Sequence, residues 1–574
     1  MRPADGPVKL LRSDWYFLGG LVAILALIHV AIGRLAFTGD EVGYTFQGLG
    51  LFTNAHYYAT AATWSAFLHA NGLASAYPGE IVKPYQTLGP SIVYGAVLAT
   101  FGLEAARWLN FIVGCAGLAL LLIVLKSVAG NDAGRQPLAA YAALALVALS
   151  VPFVAYLKLL YSETLLFAIV AAALACLVRG RRLLAVAFAV ILPFVHIRAL
   201  PMAVALFGVV ELDEIADRSS PAALGKQSLV FLAGIAAFAG YQYATAGSFA
   251  GTAFSTYAPS FVLLPERLGM QLFGVHHGIL IYAPLFLAGF VGLLIGARQR
   301  NRLCAYASIV LAAYGISFVW SEAGESWPGR FWIAAIPFVA VGILYWLRSS
   351  RGWPSFLPVI PLAGLGLVML ALFIAQPLWF LESRRVCVPY EIVAQIVPFD
   401  LGLYLPVDTN VSQILPYVGS IPILLAVASA FGALLWICNS KGEKLRRFAC
   451  AGALAILTGI ALLSFVRPLP RSAYRIEPRP DGIVVRLRAP YSISAIRFDD
   501  KIASIWPITY PRRFEVTCLR GSTVASDGAP VSRPLVLVPS CRDSDAIDLR
   551  GEPVDAAREF LRNAGNVTLL QRAF

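Results

Sequence analysis

Apolar stretches of about 16–23 residues recur along the chain from Trp15 almost to Phe465, each close to the length that crosses the hydrocarbon of a bilayer. A soluble fold of this length needs far more charge to cover its surface. Here only 13% of the 574 residues are charged and 59% are apolar, with a mean hydropathy of +0.72. The pattern predicts spanning helices at roughly 15–36, 104–125, 138–155, 163–178, 183–196, 199–212, 227–245, 276–297, 303–320, 331–347, 355–377, 418–438 and 447–466. The expected fold class is therefore an α-helical polytopic membrane protein of about 13 transmembrane helices. Residues 1–14 are polar and the first apolar run is long enough to span, so this end reads as an anchor and not as a cleavable signal.

The net charge of +13 comes from 45 basic and 32 acidic residues, and in a soluble chain it would raise the question of nucleic acid. The basic residues instead sit in short clusters between apolar segments: Arg2/Lys9/Arg12, Lys126/Arg135, Arg179/Arg181/Arg182, Arg218/Lys226, Arg298/Arg300/Arg302, Arg348/Arg351 and Lys441/Lys444/Arg446/Arg447. All fall in loops that alternation assigns to the cytoplasm, which puts the N-terminus inside a bacterial-type inner membrane and the C-terminal part in the periplasm, with no nucleic-acid role. That count reads 86–101, short and containing Pro90, as a re-entrant or tilted helix closing the first outer loop. Two domains result. Residues 1–466 form a membrane domain whose first outer loop, about 38–87, is rich in aromatics, His and Asn. Residues 467–574 are polar, alternate like strands over 482–488 and 534–538, and look helical over 553–562, which predicts a small, β-rich periplasmic domain. Cys518 and Cys541 are a possible disulfide pair there, whereas Cys115, Cys176, Cys304, Cys438 and Cys450 read as apolar filler.

The out-of-place polar residues gather on the outer side. Ionisable groups at membrane depth are costly and usually functional, so this one-sided placement points to one outward-facing cavity. Asp40 and Glu41 follow the first span; such a pair can supply a general base or hold a divalent cation (Mg or Mn), while the spacing alone more simply marks a helix start, with Asp40 as N-cap of a helix that Glu41 begins. His196 and Arg198 sit at an outer turn, where the guanidinium fork suits a phosphate and where both side chains could also simply snorkel. His276-His277 lacks metal-site spacing and suits interfacial hydrogen bonding. Glu322, Glu325, Trp327 and Arg330 share a short outer loop; acids and an indole suit a sugar and Arg a phosphate, although an aromatic-belt turn has the same composition. Tyr161-Ser162-Glu163 is compatible with function or with a capped helix start.

Taken in order, these pieces resemble the GT-C superfamily of membrane glycosyltransferases, especially the bacterial protein-mannosyltransferase and aminoarabinose-transferase group. The residues that carry the resemblance are Gly39-Asp40-Glu41-Val42-Gly43-Tyr44, Gln86-Thr87-Leu88-Gly89-Pro90 with Phe101-Gly102, Tyr161-Ser162-Glu163-Thr164, His196-Ile197-Arg198-Ala199-Leu200-Pro201, His277 to Pro284, and Pro328-Gly329-Arg330-Phe331 with Ala335-Ile336-Pro337. The set covers most of the membrane part and stops near the last spans. It departs from many relatives at Val42, where they have Pro, and at Gln86-Thr87-Leu88-Gly89-Pro90, where they have a His-Pro-Pro-like run.

The resemblance implies transfer of a sugar from a polyprenyl-phosphate donor, drawn from the membrane lipid, to a glycan, glycolipid or protein acceptor, with inversion. It implies Asp40 as base with Glu41 second or as a metal or hydrogen-bond partner, and Lys83, His196, Arg198 and Arg330 around the donor phosphate. His56, Tyr85, Gln86, Glu163, His277, Glu322, Glu325 and Trp327 would face substrate. No nucleotide is called for, in keeping with the lack of a phosphate-loop or dinucleotide fingerprint. A transporter or lipid-linked-glycan flippase is the alternative; it would show internal repeats and broken helices near the midplane, and no repeat is visible.

Overall fold

In a computed structural model of the protein, the described residues are 10–33, 35, 40–71, 87–129, 136–217, 220–248, 261, 264–274, 278–319, 329–349, 359–375 and 377–380, together with strand segments between 466 and 572. The chain divides into two compact units. The first comprises Met1–Leu272, His277–Leu378 and Ala428–Ala451; the second comprises Phe273–His276, Trp379–Val427 and Gly452–Phe574.

The first unit is helical: α1 (Arg12–Ala31), α2 (Asp40–Leu49), α3 (Ala61–Ala70), α4 (Gly89–Phe101), α5 (Leu103–Ala129), α6 (Gln136–Ala148), α7 (Val151–Lys158), α8 (Ser162–Val178), α9 (Arg182–Val195), α10 (Leu200–Ala216), α11 (Pro221–Ala246), α12 (Leu264–Phe273), α13 (Ile279–Tyr282), α14 (Phe286–Arg298), α15 (Arg302–Ile316), α16 (Ile336–Ser349) and α17 (Val359–Ala375). Among the described residues five helices are long and apolar enough to cross a membrane, or six if one bent pair counts as a single span; five more apolar helices have 10–17 residues. The outward faces remain apolar, with Leu27 71%, Leu138 71% and Leu229 69% exposed, as lipid rather than water requires.

Two expected spans are broken. The 138–155 segment is α6 and α7 bent by 63°. Ser150 is extended at the break (φ −80°, ψ 144°) and its hydroxyl donates to the Val147 carbonyl at 2.7 Å, while Pro152, which has no N–H to satisfy, enters the first turn of α7. The 276–297 segment is α13 and α14, interrupted at Pro284, which cannot donate a helical hydrogen bond. Residues 86–101 give the 13-residue α4, about 20 Å long, well short of a hydrocarbon crossing. The expected spans at 418–438 and 447–466 lie outside the described residues, as do the 553–562 helix and Cys541.

The segment from α2 to the start of α5 has its own core. Phe46, Leu49, Trp64, Phe67 and Leu68 from α2 and α3 pack with Tyr94 and Leu98 of α4 and with Leu103 and Ala106 of α5. Close backbone approach lets these short helices bury their faces: a Cβ on Gly48 would meet the Gly95 Cα at 3.0 Å. At the other end of the helices, Arg182 bridges Asp213 at 2.7 Å and Glu214 at 2.9 Å and also pairs with Asp217, which Arg302 reaches at 3.0 Å. Burial opposes ionisation of Asp217, and the hydrogen bonds from Arg182 and Arg302 outweigh it, holding that carboxyl below its ordinary value.

The second unit carries the strands, opening with β1 (Val466–Pro468), where the composition turns polar. β2 (Tyr474–Pro478), β3 (Gly482–Tyr491), β8 (Ser544–Glu552), β5 (Arg513–Arg520) and β6 (Thr523–Pro530) form one antiparallel sheet in that order; β1, β9 (Ala564–Arg572), β4 (Ile493–Asp500) and β7 (Leu535–Leu537) form the other. Register aligns Ile476, Val485, Ile547 and Cys518 in one row and Glu477, Val484, Asp548 and Thr517 in the next; Val484 and Val485 are both buried.

α14 and α16 meet through glycines. A Cβ on Gly292 would lie 1.8 Å from the Gly342 carbonyl oxygen, a contact with backbone that no side-chain motion relieves. Gly292→Ala should therefore lower the unfolding temperature in detergent by several degrees, whereas Gly20→Ala, with open space around it, should leave it unchanged; equal behaviour of the two would contradict the packing.

Candidate active site

α2 opens with two carboxylates, favourable against the positive end of a helix dipole. Successive helical residues point about 100° apart, so Asp40 and Glu41 must take different partners. Glu41 turns inward and is fully buried. Its two oxygens accept from Arg107 Nε at 2.9 Å and Nη2 at 2.8 Å, a bidentate pair, and Oε1 also accepts from the Leu160 backbone N–H at 3.0 Å. Arg107 continues to Glu104 at 2.9 Å, and Glu104 to Lys158 at 3.2 Å. This chain of alternating charge ties α2, α5 and α7 together.

The link from α7 to α8 is held from the same helix. Asn110, one turn beyond Arg107 on α5, donates to the carbonyls of Tyr156 at 2.8 Å, Leu157 at 3.2 Å and Leu159 at 2.9 Å, and accepts from Tyr94 Oη at 2.7 Å. The two amide hydrogens are thus shared among carbonyls at and just beyond the C-terminus of α7, where the Tyr156 carbonyl also accepts from the Thr164 hydroxyl and the Leu159 carbonyl from the Tyr161 N–H. The braced link delivers Tyr161 and, in the first turn of α8, Glu163. Tyr161 is the N-cap residue and makes no side-chain cap, so of the two readings left open for 161–163 the capped start is not the one seen; Glu163 is turned to a different use.

That use is Arg330. Its Nε donates to Glu163 Oε1 at 2.7 Å and its Nη2 pairs with Asp40 Oδ2; the guanidinium lies 4.9 Å from the Tyr161 ring centroid and 5.0 Å from that of Phe331. The Ser162 hydroxyl donates to the other Glu163 oxygen at 3.1 Å. Arg330 follows Gly329 in the left-handed region (φ +66°), where a Cβ would strike Pro152 and Ile279 at 2.8 Å, so the backbone entering the site requires glycine. Phe331 is fixed by its carbonyl, which accepts from Tyr314 Oη at 2.6 Å, and Trp332 Nε1 donates to the Gln271 carbonyl at 3.0 Å. Arg198 stacks on the same Phe331 ring at 4.0 Å, and the His196 Nδ1 accepts the Arg198 backbone N–H at 3.2 Å, shaping the turn between α9 and α10.

Asp40, Glu163, His196, Arg198 and Arg330, drawn from four distant stretches of sequence, thus occupy one place. The side chains of Arg330 and Glu163 are 4% and 2% exposed, and that of Asp40 is 25% exposed, so the cluster opens on the Asp40 side. Glu41, adjacent in sequence, is directed to Arg107 instead. His56 is exposed after a π-helical turn at Gly50–Asn54. Lys83, Tyr85, Gln86, His277, Glu322, Glu325 and Trp327 lie outside the described residues. Among the described residues no group of three or more His, Cys, Asp or Glu could hold a metal ion, and Asp40 and Glu41 each face a different arginine, so the pair does not fit a shared cation.

Arg107, Asn110, Glu104 and Lys158 are site-building residues that the sequence reading passed over. Their signal was present: Arg107 and Asn110 stand three apart inside an apolar span, where polar groups demand partners.

No family description matches the chain, and no curated protein matches it. Among solved structures it is similar to ArnT from Cupriavidus metallidurans, both in the apo state and bound to undecaprenyl phosphate. Each comparison has 16% identity and a TM-score of 0.42 over 79% of this chain and 76% of the other.

Removing Arg107 strands a buried carboxylate. Arg107→Ala should cost about 3–5 kcal/mol of stability, read as a large drop in unfolding temperature, and Glu41→Gln in the same background should recover part of it by removing the stranded charge. Additive losses would show that the two do not act as a pair.

Proposed function

We propose that the protein is a GT-C-type membrane glycosyltransferase that moves a sugar from a polyprenyl-phosphate donor to a hydroxyl or amine of an envelope glycan, glycolipid or protein on the periplasmic face of the inner membrane. The observation that carries this reading is the pairing of a partly exposed carboxylate, Asp40, with Arg330, whose guanidinium shares the Phe331 ring with a second one, Arg198. Transfer of a phosphate-linked sugar needs both functions within one site, on either side of the anomeric carbon. The leaving phosphate gains negative charge and needs fixed positive groups; the attacking group has a proton to lose and needs a base.

In the proposed reaction the acceptor oxygen or nitrogen forms the new bond to the anomeric carbon. The bond from that carbon to the phosphate oxygen breaks, its electron pair leaves with the polyprenyl phosphate, and the acceptor proton passes to Asp40. Attack opposite the leaving group inverts the anomeric centre. Glu163 holds Arg330 by its Nε, Tyr161 and Phe331 flank the guanidinium, and Arg198 brings a second cation to Phe331. Glu41 serves as a fixed anchor for α2. Burial of the cluster excludes water, which strengthens its fields and protects the donor from hydrolysis.

A second reading, as a transporter or lipid-linked-glycan flippase, has one observation in its favour: the helix breaks at Ser150 and Pro284 resemble the discontinuous helices of transporters. Mass spectrometry of envelope glycans and polyprenyl-phosphate sugars separates the two in deletion cells that carry wild-type or Asp40→Asn protein at matched expression. Loss of its base should slow transfer by about 10²–10⁴-fold, so a sugar disappears from an acceptor and the lipid-linked donor accumulates. Identical profiles for the two proteins, both different from the deletion, would remove Asp40 from the chemistry and favour transport.

A further inference from the structure

Among the described residues the acids and arginines of the cluster balance, with no surplus positive charge for a donor. Asp40 and Glu163 carry two negative charges, and Arg330 and Arg198 carry two positive ones. The two carboxylates also divide between them the Nε–Nη2 edge of Arg330, one of the two edges on which a guanidinium can receive a phosphate in bidentate fashion. The partners differ in how firmly they are held. Glu163 is buried, sits in the first turn of a braced helix and has its second oxygen engaged by Ser162. Asp40, with its side chain 25% exposed against 2% for Glu163, stands at the first position of α2.

We propose that Asp40 and the donor phosphate compete for Arg330, so that donor binding displaces Asp40 from the guanidinium and releases it to act as base. The idea rests on the glycosyltransferase reading for the phosphate-bearing ligand, and it adds an order of events: donor first, acceptor activation second. Without donor, Asp40 is held by Arg330 and is a weaker base toward water or a stray hydroxyl. With donor, the phosphodiester takes the Arg330 edge and the freed carboxylate turns to the acceptor.

The charges balance through the transfer. Before it the donor phosphodiester and Asp40 bear one negative charge each. Afterwards the departing phosphate monoester bears two and the protonated Asp40 none. The arginines therefore face the same total charge throughout, and a neutral Asp40 cannot reclaim Arg330 while the product phosphate is bound. Loss of that proton restores the carboxylate, which then helps to expel the product.

The proposal is tested by the binding of a polyprenyl monophosphate to the full-length protein in nanodiscs, with the corresponding polyprenol as the uncharged control. Asp40→Asn removes the competing charge and should bind the phosphate about tenfold more tightly than wild type, while Arg330→Gln should bind about tenfold more weakly. Asp40→Ser, which keeps a good helix-start residue, is the second variant and carries the same expectation if the asparagine protein unfolds. Wild-type or weaker affinity in the folded Asp40 variants, with the loss in Arg330→Gln retained, would overturn the competition and leave the glycosyltransferase reading standing. Failure of wild type and all variants to distinguish the phosphate from the polyprenol would overturn both.

Discussion

The contact on which the rest of the site depends is the buried Glu41–Arg107 pair. A carboxylate and a guanidinium removed from water are tolerated only when the geometry is good and the remaining hydrogen-bonding capacity is used. Both conditions are met: the pair is bidentate, the third Glu41 contact is the Leu160 backbone N–H, and Arg107 passes its remaining capacity to Glu104. The consequence is geometric. α2 is fixed in rotation about its axis, and with Glu41 turned toward α5 the neighbouring Asp40 turns toward Arg330. Leu160 is fixed by the same carboxylate, one residue before Tyr161. A single buried anion thereby sets both acidic walls of the cluster.

The surrounding packing serves the same end. Asn110 satisfies the carbonyls at the end of α7, and Gly329 admits the backbone that carries Arg330 past Pro152 and Ile279. The glycine contact between α14 and α16 brings those backbones close enough to anchor the helix that follows Arg330. Broken and short helices cost intrahelical hydrogen bonds, and at the α7–α8 link these are replaced by Asn110, Thr164 and Glu41. The breaks concentrate where functional groups must be delivered.

Much of this was legible in the sequence, and the remainder was not for identifiable reasons. Apolar run length announces helices of membrane-crossing character, and Asp40, Glu163, Arg198 and Arg330 stand out because charge beside such helices is expensive. Sequence spacing could not pair them. Asp40 and Arg330 are 290 positions apart, and only the fold brings them together. The different fates of Asp40 and Glu41 follow from helical geometry only once the partners of α2 are known. The break at Ser150 was hidden because the residues on both sides are equally apolar, and hydropathy reports length rather than direction. Arg107 and Asn110 were visible but were absorbed into a span.

Whether two adjacent acids are dedicated to two different arginines is the central claim, and coupling energies from double-mutant cycles test it most directly. The cycles measure unfolding stability of full-length protein for Asp40→Asn with Arg330→Gln and for Glu41→Gln with Arg330→Gln. The account predicts clear coupling between Asp40 and Arg330, and additive behaviour between Glu41 and Arg330. Equal coupling in both cycles, or coupling only through Glu41, would contradict the division of labour on which the site is built.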